Sequence, residues 1–189
     1  IIYCLVRSRG NDIAHERLKK TFEYYKLWEE VSNLYQSRVI IICGDLSNKN
    51  FGIEQDCYFN LTREIDIIIH CGAVVSGFLP YHTMRSNNSY STLEVIKLAS
   101  ISFQKPIIYV STYSIFSPDS KPCECAIPNP LDILPELPAY GASKLVAEIF
   151  LQKAQEISGL QVSFFRVGFI SGDTISGACP TDQFLSRYL

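Results

Sequence analysis

The stretch Ile107-Ile108-Tyr109-Val110-Ser111-Thr112 is an apolar run that ends in two hydroxyl side chains. A short run of this kind is typical of a buried strand in a parallel sheet. Further on stands Tyr140-Gly141-Ala142-Ser143-Lys144, in which the first and last residues lie one above the other on a helix face. The ammonium can then stabilise the ionised phenol, and a hydroxyl at the strand end can hold a carbonyl oxygen against it. On the pattern alone, an exposed Tyr–Lys pair is the simpler interpretation of this short motif, and the surrounding order of strands and helices is needed to favour a site.

The rest of the chain alternates strand-like and helix-like patterns. Almost continuously apolar runs cover residues 1–6, 39–43, 65–70, 107–110 and 162–165. Helical spacing of apolar residues covers residues 12–35, 84–101 and 140–158. This order predicts an α/β fold, a Rossmann-like doubly wound parallel sheet whose strands are buried on both faces. The proline-rich residues 117–138 are predicted to form an irregular loop over the carboxyl edge of that sheet.

Composition indicates one globular unit without nucleic-acid or membrane partners. The 189 residues are 47% hydrophobic and 19% charged, with a net charge of −2, which gives no basic footprint for nucleic acid or anionic lipid. No apolar run approaches the ~20 residues of a membrane span, and the first residues do not resemble a signal peptide. The seven scattered cysteines indicate reduced thiols in the cytoplasm. The tight spacing of Cys123 and Cys125 argues against a metal site.

Polar or small residues follow the predicted strands, where doubly wound sheets bind their ligands. These segments include Arg7-Ser8-Arg9-Gly10, Gly44-Asp45-Leu46-Ser47, His70-Cys71-Gly72-Ala73 and Arg166-Val167-Gly168. An Arg after the second strand of a dinucleotide fold favours the 2′-phosphate of NADP. Arg17 in the next helix can complete a two-Arg clamp, and Asp45 can accept a hydrogen bond from the adenine amino group. In the alternative interpretation, Arg7 and Arg17 are exposed cations and Asp45 is a turn residue.

Several segments taken together resemble the extended short-chain dehydrogenases/reductases. They are Tyr3-Cys4-Leu5-Val6-Arg7, Gly44-Asp45-Leu46-Ser47, His70-Cys71-Gly72-Ala73-Val74-Val75, Tyr109-Val110-Ser111-Thr112, residues 140–144 and Phe165-Arg166-Val167-Gly168. More narrowly, the chain is similar to the thioester reductase domains of nonribosomal peptide and polyketide synthetases, carboxylic acid reductases and aminoadipate reductases. The narrower resemblance rests on Arg17-Leu18, Tyr25-Lys26-Leu27-Trp28, Pro80-Tyr81 and Thr92-Leu93-Glu94-Val95-Ile96-Lys97-Leu98-Ala99.

This resemblance implies the roles of individual residues. Thr112, Tyr140 and Lys144 fall on the family's catalytic triad, and no metal ligand is implied. Arg7 and Arg17 fall on the positions that bind the NADPH phosphate. The other cofactor contacts that the resemblance implies are Asp45, Leu46, Ala73, Asn88 and Val167, with Tyr140 and Lys144 also touching the cofactor. Ser91 departs from the family pattern, which has Gly at this position.

The resemblance also implies an activity and a partner. It implies NADPH-dependent reduction of an acyl or peptidyl thioester to an aldehyde, with an alcohol after a second round. The thioester is carried on the phosphopantetheine arm of a carrier protein. Other interpretations stay open: a fatty acyl-CoA reductase with the same triad, a nucleotide-sugar epimerase or dehydratase with the same Tyr and Lys, and a non-catalytic interaction domain.

One feature of the family has no counterpart in this sequence. The Gly-rich G-x-x-G-x-x-G turn that holds the pyrophosphate at a helix N-terminus is absent, because the chain begins in what resembles the second strand. Residues 180–189 resemble the entry to the family's substrate subdomain. We therefore expect residues 1–189 to be a partial reductase domain, truncated at both ends, that is inactive and binds cofactor poorly by itself.

Overall fold

The computed structural model describes residues 1–117 and 126–180, which fall into two compact units. The first unit comprises residues 1–45 and the segment from Phe169 onwards, and the second comprises Leu46–Gly168. The predicted start of a substrate subdomain near 180–189 lies almost entirely outside the described residues.

The first unit is built on two parallel strands with two helices between them. Its elements are β1 (Ile2–Val6), α1 (Asn11–Tyr24), α2 (Trp28–Arg38) and β2 (Val39–Cys43). The strands pair in register from Ile2 opposite Val39 to Val6 opposite Cys43. Val6, Ala14 and Ile41 form the buried core of the unit, so α1 packs through its apolar stripe onto the β1–β2 pair.

The helix predicted over residues 12–35 is two helices, because the chain turns at Lys26. Lys26 adopts the left-handed conformation, with φ of 57°. Leu27 N donates to Phe22 O at 2.8 Å and Lys26 N donates to Glu23 O at 3.0 Å, which is the hydrogen-bond pattern of a Schellman C-cap. Glycine usually occupies this position, and a lysine there hides the end of the helix from sequence analysis.

The second unit contains three parallel strands in the order β3-β4-β5. The strands are β3 (Ile68–His70), β4 (Ile107–Thr112) and β5 (Val162–Val167). The helices are α3 (Gln55–Glu64), α4 (Tyr81–Arg85), α5 (Ser91–Ser100), α6 (Pro130–Ile133) and α7 (Ala139–Ser158). One π-helical turn, Ser86–Tyr90, joins α4 to α5, and two 3-10 turns cover Lys49–Gly52 and Tyr113–Ile115. The α/β class with parallel strands is therefore confirmed.

Several predicted details differ from the structure. The strand predicted over 65–70 begins only at Ile68, because Ile65 still closes the last turn of α3, a helix that the sequence did not indicate. Residues 130–133 of the predicted loop are helical, with the Asn129 side chain as N-cap and Pro130 at the first position. Residues 118–125 of that loop lie outside the described residues.

The prediction that the strands are buried on both faces is wrong for four of them. Ile69 of β3 is 63% exposed, and Leu5 of β1, Ile40 of β2 and Phe165 of β5 are also exposed. Burial alternates along β5, where every second side chain from Val162 to Phe165 is open to solvent. Within the described residues, one face of these strands therefore carries no packed layer, and only β4 is buried along most of its length.

The described part of the chain also bears on the membrane and metal predictions. None of its helices is both long enough and apolar enough to cross a bilayer. It contains no cluster of three or more side chains suited to hold a metal ion. Cys4, Cys43, Cys57, Cys71 and Cys179 are not in disulfide bonds, whereas Cys123 and Cys125 fall outside residues 1–117 and 126–180.

Candidate functional site

The start of α7 packs directly on the turn that follows β4. Thr112 ends β4 and caps this turn, since its Oγ1 accepts a hydrogen bond from Ser114 N at 3.2 Å. Gly141 lies against the Ser114 carbonyl oxygen, which a Cβ at position 141 would overlap. A residue without a side chain is therefore required for the helix to come this close. The contact joins the segment that holds Thr112 to the segment that holds Tyr140.

Lys144 is buried beneath this contact, against the end of β4. Its side chain is held by the Val110 carbonyl, to which Nζ donates at 2.6 Å, and Nζ lies 4.2 Å from the centre of the Tyr109 ring. Only 2% of the residue is exposed. Burial lowers the pKa of Lys144 to about 8, while the charges of Glu148 and Cys71 act in the opposite direction. The site therefore contains an ammonium group with little water around it.

Tyr140 is half-buried at the first turn of α7. Burial raises its pKa above the ordinary value for tyrosine. The Lys144 ammonium is held against Val110 and Tyr109, so its stabilisation of an ionised Tyr140 stays a prediction. A tyrosine that keeps its proton is nevertheless the form that a proton donor requires.

Asn88 links the loop after β3 to α7. Its Nδ2 donates to Val74 O at 2.9 Å, its Oδ1 accepts from Val74 N at 2.7 Å, and Nδ2 also donates to Ser143 Oγ at 3.0 Å. The amide is buried in the π-helical turn Ser86–Tyr90, with 1% of Asn88 exposed. Both donors and the acceptor are therefore engaged within the protein, and direct contact of Asn88 with a cofactor stays a prediction.

Three other predicted cofactor residues lie at the carboxyl ends of the strands of the second unit. The Leu46 side chain lies against Gly72, where an added Cβ would overlap it. This contact places Leu46 beside the turn that leads from Gly72 into Ala73. Val167, at the end of β5, stands opposite Thr112 in the register of β4 and β5.

In the first unit, the structure brings Arg7 and Arg17 together. The Arg17 Nη1 donates to the Arg7 carbonyl at 2.9 Å, and both side chains are exposed. Gly44 N donates to Val6 O at 3.1 Å, which extends the β1–β2 pairing by one residue. Asp45 and Arg7 therefore emerge at the same edge of this two-stranded sheet.

Sequence reasoning missed a buried ion pair next to Lys144. Glu148 has no exposed surface, and it accepts hydrogen bonds from Arg166 Nε at 3.2 Å and from Arg166 Nη2 at 2.8 Å. The indication was present in the sequence: Tyr140, Lys144 and Glu148 are spaced four residues apart and share one helix face. Its partner on β5, more distant in sequence, could not be read from that spacing.

Each unit, taken separately, contains residues that fit one part of a nicotinamide dinucleotide. The exposed guanidinium groups of Arg7 and Arg17 suit a phosphate, and Lys144 has three donors, of which the Val110 carbonyl accepts one. The Ser111 Oγ is buried beside Thr112 without a hydrogen-bond partner among the described residues. A buried ammonium and an orphaned hydroxyl at the end of β4 are polar groups to which a bound ligand can offer acceptors.

Comparison with known proteins agrees with this geometry. The model of an NAD-binding family described as "Male sterility protein" matches residues 1–189. One of the proteins that make up the linear gramicidin synthase of Brevibacillus parabrevis is 34% identical over 191 residues, covering 98% of this chain and 4% of that protein. The L-2-aminoadipate reductase of Penicillium chrysogenum is, in its large subunit, 30% identical over 201 residues, covering all of this chain and 14% of that protein.

A solved structure gives the same result. The terminal R domain from the myxalamid PKS-NRPS biosynthetic pathway superimposes with a TM-score of 0.87 and 34% sequence identity, over 98% of this chain and 46% of that domain. The chain belongs to the NAD-binding family that its sequence matches, and within it to the thioester reductase domains of the extended short-chain dehydrogenases/reductases. It spans less than half the length of these two relatives and of the myxalamid R domain.

Proposed function

We propose that the protein reduces an acyl or peptidyl thioester, carried on the phosphopantetheine arm of a carrier protein, to an aldehyde with NADPH in the cytoplasm. The observation that carries the proposal is the burial of the Lys144 ammonium against β4, on the helix whose Gly141 packs on the turn after Thr112. A proton donor, a second hydroxyl and a fixed positive charge are thereby gathered at one strand end. This set of groups suits the reduction of a carbonyl.

The side chains of the second unit would act on the thioester carbonyl oxygen. Bound NADPH supplies the hydride that reduces the carbonyl carbon. Tyr140 donates its phenolic proton to the oxygen, and Thr112 donates a hydrogen bond to the same atom. Lys144 holds its positive charge near Tyr140 while the proton leaves, and binds the ribose hydroxyls of the cofactor.

The product then forms without a further protein group. In the hemithioacetal, the carbon–sulfur bond breaks, the carrier thiol leaves with the hydroxyl proton, and the aldehyde is released. A second round of hydride and proton transfer would give the alcohol. Because the oxygen is protonated during reduction, a tyrosine with a raised pKa is suited to the first step.

The first unit supports the choice of NADPH over NADH. Arg17 donates to the backbone carbonyl of Arg7, so its guanidinium lies beside the strand end that carries the exposed Arg7 side chain. Two exposed arginines at one strand end suit a doubly charged phosphate, whereas the ribose hydroxyls of NADH are usually held by a carboxylate. Arg7 and Arg17 would bind the 2′-phosphate of NADPH, and Asp45 the adenine amino group.

The reaction can be tested directly with the full-length gene product. The assay follows NADPH oxidation in a single turnover with an acyl group on a phosphopantetheinylated carrier protein, and it identifies the aldehyde by mass spectrometry. The same acyl group on coenzyme A tests the acyl-CoA reductase alternative. A nucleotide sugar tests the epimerase alternative. Turnover of the CoA thioester alone, or of the sugar alone, would contradict the proposal.

A further inference from the structure

The ion pair of Glu148 and Arg166 lies one helical turn beyond Lys144. We propose that Glu148, held by Arg166, is a positioning residue that keeps the Lys144 side chain charged and so sets the alkaline limit of the reaction. This inference rests on the proposed function only for its effect on rate. Its effect on the charge of Lys144 does not depend on that function.

The carboxylate of Glu148 is fixed between a helix and a strand. Both of its oxygens accept hydrogen bonds from the Arg166 side chain, at 2.8 to 3.2 Å. Arg166 belongs to β5, where it stands opposite Ser111 of β4, and its guanidinium lies 5.3 Å from the centre of the Phe116 ring. The pair therefore has one geometry, set by the packing of α7 on the sheet.

Arg166 is the charge partner of the buried carboxylate. Glu148 has no exposed surface, and an unpaired charge in such a place is costly. A guanidinium in two-point contact favours the charged form of the acid. A permanent negative charge therefore lies four residues from Lys144 on the same helix face.

Lys144 needs such a charge because it is itself buried. Burial favours the neutral amine and lowers the pKa of Lys144 to about 8, and this value already includes the opposing effect of Glu148. Without the carboxylate, the pKa would fall further, towards neutrality. A neutral lysine could neither assist proton loss from Tyr140 nor act as a full donor to the ribose.

Among the described residues, the titratable and charged groups near Lys144 lie on three strands, on the loop after β3 and on α7. They are His70 of β3, Cys71 after β3, Tyr109 of β4, Tyr140 and Glu148 of α7 and, behind Glu148, Arg166 of β5. His70 is neutral, because burial and the nearby Lys144 lower its pKa to about 3. Burial raises the pKa of Tyr109, so its ring is neutral too. Glu148 is the one carboxylate in this set.

The test compares Glu148→Gln with wild type in the full-length gene product. Gln keeps the shape and hydrogen-bond acceptor of Glu148 and removes its charge. We expect the alkaline limb of the rate profile for thioester reduction to move to lower pH by about one unit, since a tenfold change in protonation corresponds to one pKa unit. The variant should then lose about fivefold in rate near pH 8, approach a tenfold loss at higher pH, and retain most of its rate near pH 6.

Two further variants separate charge from structure. Glu156→Gln is the matched control, because Glu156 lies on the same helix in an exposed pair with Lys153, and it should leave the profile unchanged. The double variant Glu148→Gln with Arg166→Met removes both buried charges, and it keeps the inference testable if the single variant does not fold. It should show the same direction of shift.

A second measurement reports on Lys144 without using activity. An NMR titration of the lysine side chains, with the exposed Lys49 as internal reference, gives the pKa of Lys144 in each variant. A lower pKa in Glu148→Gln supports the inference even if wild type fails to reduce a thioester, in which case only the proposed function is lost. An unchanged Lys144 pKa, or a loss of rate that is equal at every pH, overturns the inference.

Discussion

Gly141 lies so close to the Ser114 carbonyl that any Cβ at position 141 would overlap the oxygen. Glycine within a helix costs about 1 kcal/mol relative to alanine, so Gly141→Ala would stabilise α7 if space were available. We expect the opposite, because either α7 or the turn after β4 must move. Tyr140 and Thr112 flank this contact, so the rate of thioester reduction should fall by at least about tenfold, as small misplacements of reacting groups do.

The matched control for this variant is Gly77→Ala. Gly77 lies in an exposed loop, and no atom lies near the position its Cβ would take. Rate and thermal unfolding are measured for both variants. If Gly141→Ala were as active as wild type and unfolded at a higher temperature, the close approach of α7 to the turn would have no bearing on the site.

A second prediction concerns the proton donor. Tyr140→Phe removes one hydroxyl and retains the ring, so folding and NADPH affinity should survive while single-turnover NADPH oxidation slows by about 10²–10⁴-fold, the usual contribution of general acid–base catalysis. Thr112→Val should also slow the reaction, since it removes a donor and keeps the shape. Tyr113→Phe, at an exposed tyrosine next to the site, serves as the control. A Tyr140→Phe enzyme with the wild-type rate would refute the proposed function.

A third prediction concerns the choice of cofactor. Arg7→Ala should weaken the binding of NADPH and leave that of NADH almost unchanged, because only NADPH carries the 2′-phosphate. Arg17→Ala should do the same and should also free the Arg7 carbonyl. Dissociation constants from calorimetry check both, with Arg38→Ala, an exposed arginine at the end of α2, as control. Equal losses of affinity for NADPH and NADH would contradict the assignment of these arginines to the 2′-phosphate.

A fourth prediction concerns the hydrogen bonds of Asn88. Asn88→Ala leaves the Val74 N–H and C=O and the Ser143 hydroxyl without this partner, so the free energy of unfolding should fall by about 1–3 kcal/mol. NADPH affinity should fall as well, because the loop that carries Ala73 is no longer held. Denaturant unfolding and cofactor titration measure the two effects. Asn87→Ala, at a half-buried neighbour whose side chain makes one long contact at 3.4 Å, should change both far less.

The sequence predicted the elements whose patterns are local. The strands at 39–43 and 107–110 and the helix at 140–158 lie within one or two residues of their observed bounds, because continuous apolar runs and helical spacing are properties of adjacent residues. The helix α3 escaped prediction because it is mostly polar and buries only Tyr58, Leu61 and Thr62. The break at Lys26 was not predicted, because nothing in the sequence indicates that this lysine adopts the left-handed conformation.

The sequence indicated individual candidate residues of the site, but it did not indicate which residues they contact. Spacing placed Tyr140 and Lys144 on one face, and strand ends pointed to Thr112 and Arg7. The partners of these residues are distant in sequence: Val110 for Lys144, Ser114 for Gly141 and Arg166 for Glu148. Such pairs depend on how α7 lies on the sheet, which only the folded structure determines.

The Asn88 side chain also has a consequence for how the protein folds. Its hydrogen bond to Ser143 joins residues 55 positions apart, and the neighbouring bond from Ser89 to the Ser143 carbonyl spans 54. Contacts of such long sequence separation form only after the entropy of closing the intervening chain has been lost. We therefore expect the loop after β3 and the helix of Tyr140 to become fixed to each other late in folding. Partly folded chains contain the residues of the site but not the site itself.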